Sequence, residues 1–377
     1  MRILFITNLP SPYRVDFFNE LGKYSDLTVL FERKSATDRD AKWKHEKYLN
    51  FKAIFLKGKA IGNDSSIGID ALKYFTKSLY DIFVFAGYAS PTAIISIFCC
   101  RLRRIPYVIS SDGAFIKKES FYKRELKRLL IGGASAWLCT GKTSSEYLKQ
   151  YGAKEDRIYI YPFTSIRDKD IIAQPLNEKD KIEIKNRLGM KEGKIVLSVG
   201  RFIYSKGYDI LLDACSGFDK KIGVYIIGGT PTKEYLDLKD KLMLTNVHFV
   251  DFKLKKDLDE YYKAADVFVL PTRGDVWGLV INEAMAKGLP IITTNQCIAG
   301  LELIQNDQNG FILTVEDAKL LSDKILILIN DNDLCRYMAI NNVEKIHQYT
   351  IEEMAKKHSL IFSQIEMNKS EGIRCNM

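Results

Sequence analysis

Two carboxylates, Asp275 and Glu283, flank Gly278-Leu279-Val280 in the stretch VFVLPTRGDVWGLVINEAMAKGLP, residues 267–290. Val267–Leu270 reads as a buried strand and the glycine-containing segment as a loop. Leu279–Lys287 reads as a helix that stops at Gly288 and Pro290. The backbone N–H groups of Gly278, Leu279 and Val280 then lie at a helix N-terminus. There the donors lack intrahelical acceptors and the helix dipole is positive, which suits a diphosphate. Carboxylates do not hold phosphate. They accept hydrogen bonds from hydroxyls, and a hydroxyl-rich ligand next to a diphosphate is a nucleotide sugar.

A second segment, SVGRFIYSKG at residues 198–207, carries two cations, Arg201 and Lys206. It follows a strand that ends at Val199, and Gly200 permits a tight exit. In an open α/β sheet, ligands bind beyond the carboxyl ends of the strands. Arg grips a diphosphate as a fork and Lys as a mobile point charge. Each cation alone reads as surface charge. Together with the D-x7-E pair, at the ends of two strands of one sheet, they read as a diphosphate clamp.

These loops need a scaffold. Short apolar runs at Ile3–Thr7, Leu27–Phe31, Ile82–Phe85, Tyr107–Ser110 and Ala136–Thr140 alternate with helical patterns at Val15–Tyr24, Ile67–Tyr80, Pro91–Leu102 and Ser120–Ile131. A second series of strands is expected at Ile195–Val199, Gly223–Gly228, Val247–Phe249, Val267–Leu270 and Ile291–Thr293, again with helices between. This alternation predicts parallel sheets, and two series predict two doubly wound α/β domains facing each other. The expected division is 1–165 for the first domain, 166–177 for a polar linker and 178–349 for the second domain. Residues 350–377 are expected to form a C-terminal helix returning toward the first domain, then a disordered tail from Asn368.

At 377 residues, two domains are the natural expectation, and 46% hydrophobic with 27% charged residues describes a folded chain. Seven scattered cysteines and four histidines, none at metal-ligand spacing, predict reduced thiols, a cytoplasmic location and no metal site. No run approaches the roughly 20 apolar residues that span a bilayer. The net charge of +9 is uneven: residues 1–170 carry +11 and the rest −2. The basic excess includes Arg101–Arg104 and KKESFYKRELKRLL at 117–130. On a helix the latter sets Phe121, Leu126, Leu129 and Leu130 among Lys and Arg. That face fits an anionic membrane surface or anionic acceptor, or a solvated helix with one buried stripe. No nucleic-acid motif accompanies the charge.

VGRFIYSKG, the D-x7-E pair and AMAKGLPII together resemble the C-terminal domain of the GT4 family of retaining glycosyltransferases, of GT-B fold. The similarity extends from ITNLPSPYRVDFFNEL to YTIEEMAKKH. The resemblance implies that Arg201 and Lys206 bind the donor diphosphate, that Glu283 holds ribose hydroxyls and that Leu279 and Val280 touch phosphate. Asp275 stands where the family has Glu, one methylene longer, and would contact the donor sugar. Gly228 and Gly229 would allow backbone to approach the donor, Phe252 and Lys253 fall where the base would lie, and Trp277 takes an aromatic position of the family. Where many relatives have a reaction-centre His, this chain offers Asp112, which is equally readable as a turn residue before Gly113. Arg14 reads either as a phosphate or acceptor contact or as an ordinary helix-start residue. The implied partners are a nucleotide-diphosphate sugar donor and a carbohydrate or lipid-linked oligosaccharide acceptor, in bacterial surface-polysaccharide assembly on the inner membrane face. A nucleotide-sugar epimerase of the same architecture, and a non-catalytic sugar-nucleotide binder, stay open at this point.

Overall fold

The structure, a computed structural model, describes residues 1–34, 47–61 and 65–374. The chain divides into two compact units. The first joins Met1–Thr164 to the segment from Thr350 onward, and the second is Ser165–Tyr349.

The first unit begins β1 (Arg2–Thr7), α1 (Pro12–Leu21), β2 (Asp26–Phe31), β3 (Lys52–Phe55) and a small antiparallel hairpin of β4 (Lys59–Ile61) and β5 (Ser65–Ile67). It continues β6 (Ile82–Ala86), α2 (Pro91–Leu102), β7 (Val108–Ser111), α3 (Phe121–Ile131), β8 (Ala136–Cys139), α4 (Lys142–Gln150) and β9 (Ile158–Ile160). Seven strands form one parallel sheet in the order β3-β2-β1-β6-β7-β8-β9. The inner strands are continuous apolar runs because helices cover both faces. Phe83, Phe85, Ile109 and Trp137 sit in the core with Ile97 of α2.

In the second unit the order is α5 (Glu178–Arg187), β10 (Lys194–Val199), α6 (Tyr208–Ala214), β11 (Ile222–Ile227), α7 (Lys233–Lys241), β12 (Val247–Val250) and α8 (Lys255–Ala264). Then come β13 (Val267–Leu270), α9 (Leu279–Ala286), β14 (Ile291–Thr294), α10 (Ile298–Leu303), β15 (Gly310–Leu313), α11 (Ala318–Asn330) and α12 (Asn332–Ile346). Its six-stranded sheet runs β12-β11-β10-β13-β14-β15, all parallel. The strand order reverses between β10 and β13. Loops diverge at such a point and leave a crevice beyond the carboxyl ends. Both sequence segments singled out for chemistry follow these two strands.

Local chemistry explains where helices start. Ser90 precedes Pro91 and its Oγ accepts the Ala93 N–H at 3.1 Å; Asn177, Asp317 and Asp331 cap α5, α11 and α12 in the same way.

Three expectations change. The helix expected over Ile67–Tyr80 is instead the end of β5 followed by a 3-10 turn at Ile69–Tyr74. The Gly68 N–H donates to Thr92 Oγ1 and the Lys57 N–H to Asp70 Oδ2, so tertiary partners displace local helix bonds. Residues 166–177, read as a linker, pack within the second unit: the Ile172 N–H donates to Ala286 O, and Lys255 pairs with Asp170 at 2.6 Å. After Thr350 the chain forms α13 (Ile351–Arg374), which continues past Asn368. It packs on the first unit, with Phe362 against Phe5 and His358 against Phe17. Residues 375–377 of the expected tail lie outside the described residues.

Candidate active site

Lys206 ends a single 3-10 turn, Tyr204–Lys206, just after β10. The next residue, Gly207, has φ +68, and a Cβ there would meet Pro271 O at 2.1 Å. Only glycine lets the turn press so closely on the segment leaving β13. Asp275 lies on that segment. Its N–H donates to Gln296 O and its carbonyl accepts the Ile298 N–H. Lys206 Nζ donates to Asp275 Oδ2 at 2.5 Å, and both side chains are less than one-fifth exposed, at 17% and 18%. The two groups that the sequence placed at a common site are therefore in direct contact.

Sequence reasoning missed the residue that ties these loops together. The Arg273 guanidinium donates twice to Asp209, at 2.8 and 2.6 Å, once to Glu316 at 2.7 Å and once to Tyr204 O at 2.9 Å. It also stacks 4.0 Å over the Tyr204 ring. The Ser205 carbonyl accepts from the Arg273 N–H and from Thr272 Oγ1. Its hydrogen bonds to Asp209 and Glu316 hold the Arg273 guanidinium charged and raise its pKa further. Asp209 lies 64 residues away and Glu316 43, so only a signal at the Lys206 end, the Asp209 that follows Lys206-Gly207 in α6, was readable. Arg273→Lys should lower the melting midpoint and cost about 2 kcal/mol, because a point charge cannot replace the bidentate fork. Thermal unfolding of the full-length variant checks this.

Gly278 precedes α9 with φ +98, and a Cβ there would sit 2.9 Å from Cys297 Sγ. Asp275 Cγ lies 3.7 Å from that same Cβ position, so the N-terminus of α9, where the first N–H groups lack intrahelical acceptors, begins beside Asp275. Trp277 is buried and its Nε1 donates to Asn282 Oδ1 at 2.9 Å, so it packs the base of the loop. Glu283, one turn into α9, accepts Ser165 Oγ at 2.9 Å and the Tyr262 hydroxyl at 3.0 Å. Burial raises its pKa against those two stabilising bonds. A carboxylate has about four acceptor positions, so capacity for further hydroxyls remains.

Arg201 is exposed on the same loop as Lys206. Gly228 sits at the carboxyl end of β11, where a Cβ would meet Gly200 O at 1.7 Å. The close approach it permits is therefore to the Gly200 backbone. Gly229, with φ +97 and open space at the Cβ position, faces outward. Phe252 and Lys253 follow β12 and are half-buried. Phe252 is two strands from β10, about 10 Å along the sheet edge.

Asp112 lies in the first unit, beyond β7. Its carboxylate pairs with Arg14, in the first turn of α1, and accepts the Tyr161 hydroxyl at 3.1 Å. Tyr13, Phe17, Phe163 and His358 line the same small pocket. Burial pushes His358 down to about 4, and its Nδ1 donates to Met354 O at 2.8 Å. The imidazole is thus neutral at physiological pH. Among the described residues no group of three or more His, Cys, Asp or Glu could hold a metal ion. Among them, too, no helix is long and apolar enough to cross a membrane.

Residues 180–345 match the family described as glycosyl transferases group 1. An N,N'-diacetylbacillosaminyl-diphospho-undecaprenol alpha-1,3-N-acetylgalactosaminyltransferase of Campylobacter jejuni is 23% identical over 72% of this chain and 74% of its own length. The capsular polysaccharide biosynthesis glycosyltransferase CapM of Staphylococcus aureus is 30% identical over 52% of this chain, and the match spans about half of CapM, 52%. Anabaena Alr3699/HepE, solved in complex with UDP, superposes with a TM-score of 0.77 at 17% identity, covering 97% of this chain and 100% of that one. The sucrose-phosphate synthase of Thermosynechococcus elongatus gives 0.75 at 19% identity, covering 97% and 99%. Residues 180–345 thus carry the glycosyl transferases group 1 match, and the chain is a glycosyltransferase built on the GT-B fold.

Proposed function

We propose that the chain moves a sugar from a nucleotide-diphosphate donor to a hydroxyl of a lipid-linked oligosaccharide in bacterial surface-polysaccharide assembly, with retention at the anomeric carbon. The observation that carries the donor half is the contact of Lys206 with Asp275 at the strand-order reversal, beside the N-terminus of α9. Lys206, Arg201 and the N–H groups of Leu279 and Val280 hold the diphosphate. Asp275 takes sugar hydroxyls and Glu283 those of the ribose. Phe252 and Lys253 border the base, at the strand spacing a nucleoside needs, and Gly229 leaves room along the way. Among the described residues no side chain stands out as a covalent nucleophile. Transfer then proceeds on one face of the sugar, with the leaving diphosphate taking the acceptor proton while the cations and helix terminus stabilise its charge. The Anabaena neighbour was also solved with UDP-glucose, which agrees with a nucleotide-sugar donor.

The acceptor half rests on the first unit. The Campylobacter relative is named for an undecaprenol-diphosphate substrate, and CapM for capsule synthesis. Here α3 exposes Phe121, Tyr122, Leu126 and Leu129 next to Lys123, Arg124 and Arg128, and Ile116, Lys117 and Lys118 lie just before it. Exposed apolar groups among cations suit an anionic bilayer, so the enzyme works peripherally on the cytoplasmic membrane face. Asp112 and Arg14 then orient the acceptor.

A thermal-shift panel of nucleotide sugars is the test. A donor at one hundred times its Kd adds about 2.7 kcal/mol, so one nucleotide series should stand apart. The selected donor should give a retained glycoside on a diphosphate-lipid acceptor. Epimerised sugar from donor alone, or no turnover at all, would overturn the proposal.

A further inference from the structure

Lys206 and Asp275 already neutralise each other. The two loops are fixed to each other: Arg273 and Thr272 fasten the Lys206 turn to the Asp275 loop through Tyr204 O and Ser205 O, and Gln296 and Ile298 hold the Asp275 backbone. A diphosphate that seeks the Lys206 ammonium must share it with a carboxylate of its own sign. We propose that Asp275 is a resident counter-ion that makes the site prefer a sugar-bearing diphosphate to a bare one; this rests on the donor reading above. A nucleotide sugar brings hydroxyl donors, which give Asp275 new hydrogen bonds as Lys206 turns to phosphate. A bare nucleoside diphosphate has hydroxyls only on the ribose, at Glu283, so it leaves the Asp275 carboxylate without a donor and adds repulsion. The same contact therefore favours entry of donor and exit of spent nucleotide.

The exchange makes a prediction opposite to that for a simple binding residue. Asp275→Asn keeps the shape and the ability to meet hydroxyls but removes the competing charge. Calorimetry on the full chain would use inorganic pyrophosphate and matched pairs: UDP with UDP-glucose, UDP with UDP-N-acetylglucosamine, and GDP with GDP-mannose. In Asp275→Asn, pyrophosphate and the bare nucleotide should bind about tenfold tighter or more, the worth of one charge-assisted hydrogen bond. The sugar-bearing partner should change less than about threefold, because it loses a carboxylate–hydroxyl bond as it gains the ammonium. If both members of a pair tighten equally, or neither does, the exchange is wrong while the donor reading stands. If no pair binds the wild type, or Lys206→Ala binds as the wild type does, the donor reading itself fails.

Discussion

Lys206→Ala should lower turnover by roughly one hundredfold or more, the scale on which removal of one preorganised oxyanion donor costs about 2.7–4 kcal/mol in the transition state. The reason is local. Diphosphate charge grows as the glycosidic bond breaks, so an ammonium fixed at that point acts more on the transition state than on the ground state. Alanine also strips Asp275 of its cation and exposes the donor to an uncompensated carboxylate, which adds to the loss. The fold should be almost unaffected, because the turn is held by Arg273 and Thr272 through main-chain oxygens and not by the Lys206 side chain. The ion pair is partly exposed, so its own contribution to stability is about 1 kcal/mol or less. Lys206→Arg should recover only part of the rate, since a planar fork cannot occupy the place of a compact ammonium beside Asp275. Steady-state kcat and KM, with melting midpoints as the control, decide the matter. Near wild-type turnover in the alanine variant would remove the diphosphate from this part of the site.

What the sequence made legible follows from how far apart the interacting residues lie. Inner strands such as Ile195–Val199 and Val267–Leu270 were readable because parallel strands covered on both faces must be apolar throughout. The two edge strands of the first sheet were not: Lys52–Phe55 and Ile158–Ile160 are short, half-exposed and carry no alternation of use. The stretch around Ile67–Tyr80 has helix-like apolar spacing. Its Gly68 N–H finds a partner in α2, its Asp70 carboxylate accepts the Lys57 N–H after β3, and buried Ser66 donates to Glu32 at 3.0 Å. Such contacts leave no local trace. Lys206 and Asp275 could be paired from sequence because each follows a strand end beside a glycine. The Arg273 network could not, because its acceptors come from α6 and from the turn after β15. Gly228 was read as making room for a ligand, whereas the Gly200 carbonyl lies against its Cα and explains it without one.

Stability is concentrated at the opposite end of the same sheet, where Asp266→Ala should cost about 3–5 kcal/mol, the usual penalty for removing one member of a buried ion pair. Asp266 precedes β13 and is buried. Its carboxylate accepts from Lys185 Nζ at 2.9 Å, Lys181 Nζ at 3.2 Å and the Ile195 N–H at 2.8 Å, joining α5 to β10 and β13. Alanine leaves the Lys185 ammonium, only 5% exposed, with the Gly193 carbonyl at 2.7 Å and no counter-ion. Asp266→Asn should fall between, since its amide oxygen still meets the Ile195 N–H. Burial by itself would raise the Asp266 carboxyl, but Lys181, Lys185 and the Ile195 N–H outweigh it and hold the group below the ordinary range. A depressed folded pKa means that the stabilisation is complete above the unfolded value of about 3.9 and fades as pH falls through the lower folded value. Denaturant titrations of the full chain at neutral and strongly acid pH should therefore show a wide gap between wild type and Asp266→Ala that narrows in acid. Equal midpoints at neutral pH would mean that α5 is held by apolar packing alone. Since the carboxylate lies at the amino end of β13 and Asp275 beyond its carboxyl end, the variant that remains folded should keep its turnover, the reverse of what Lys206→Ala shows.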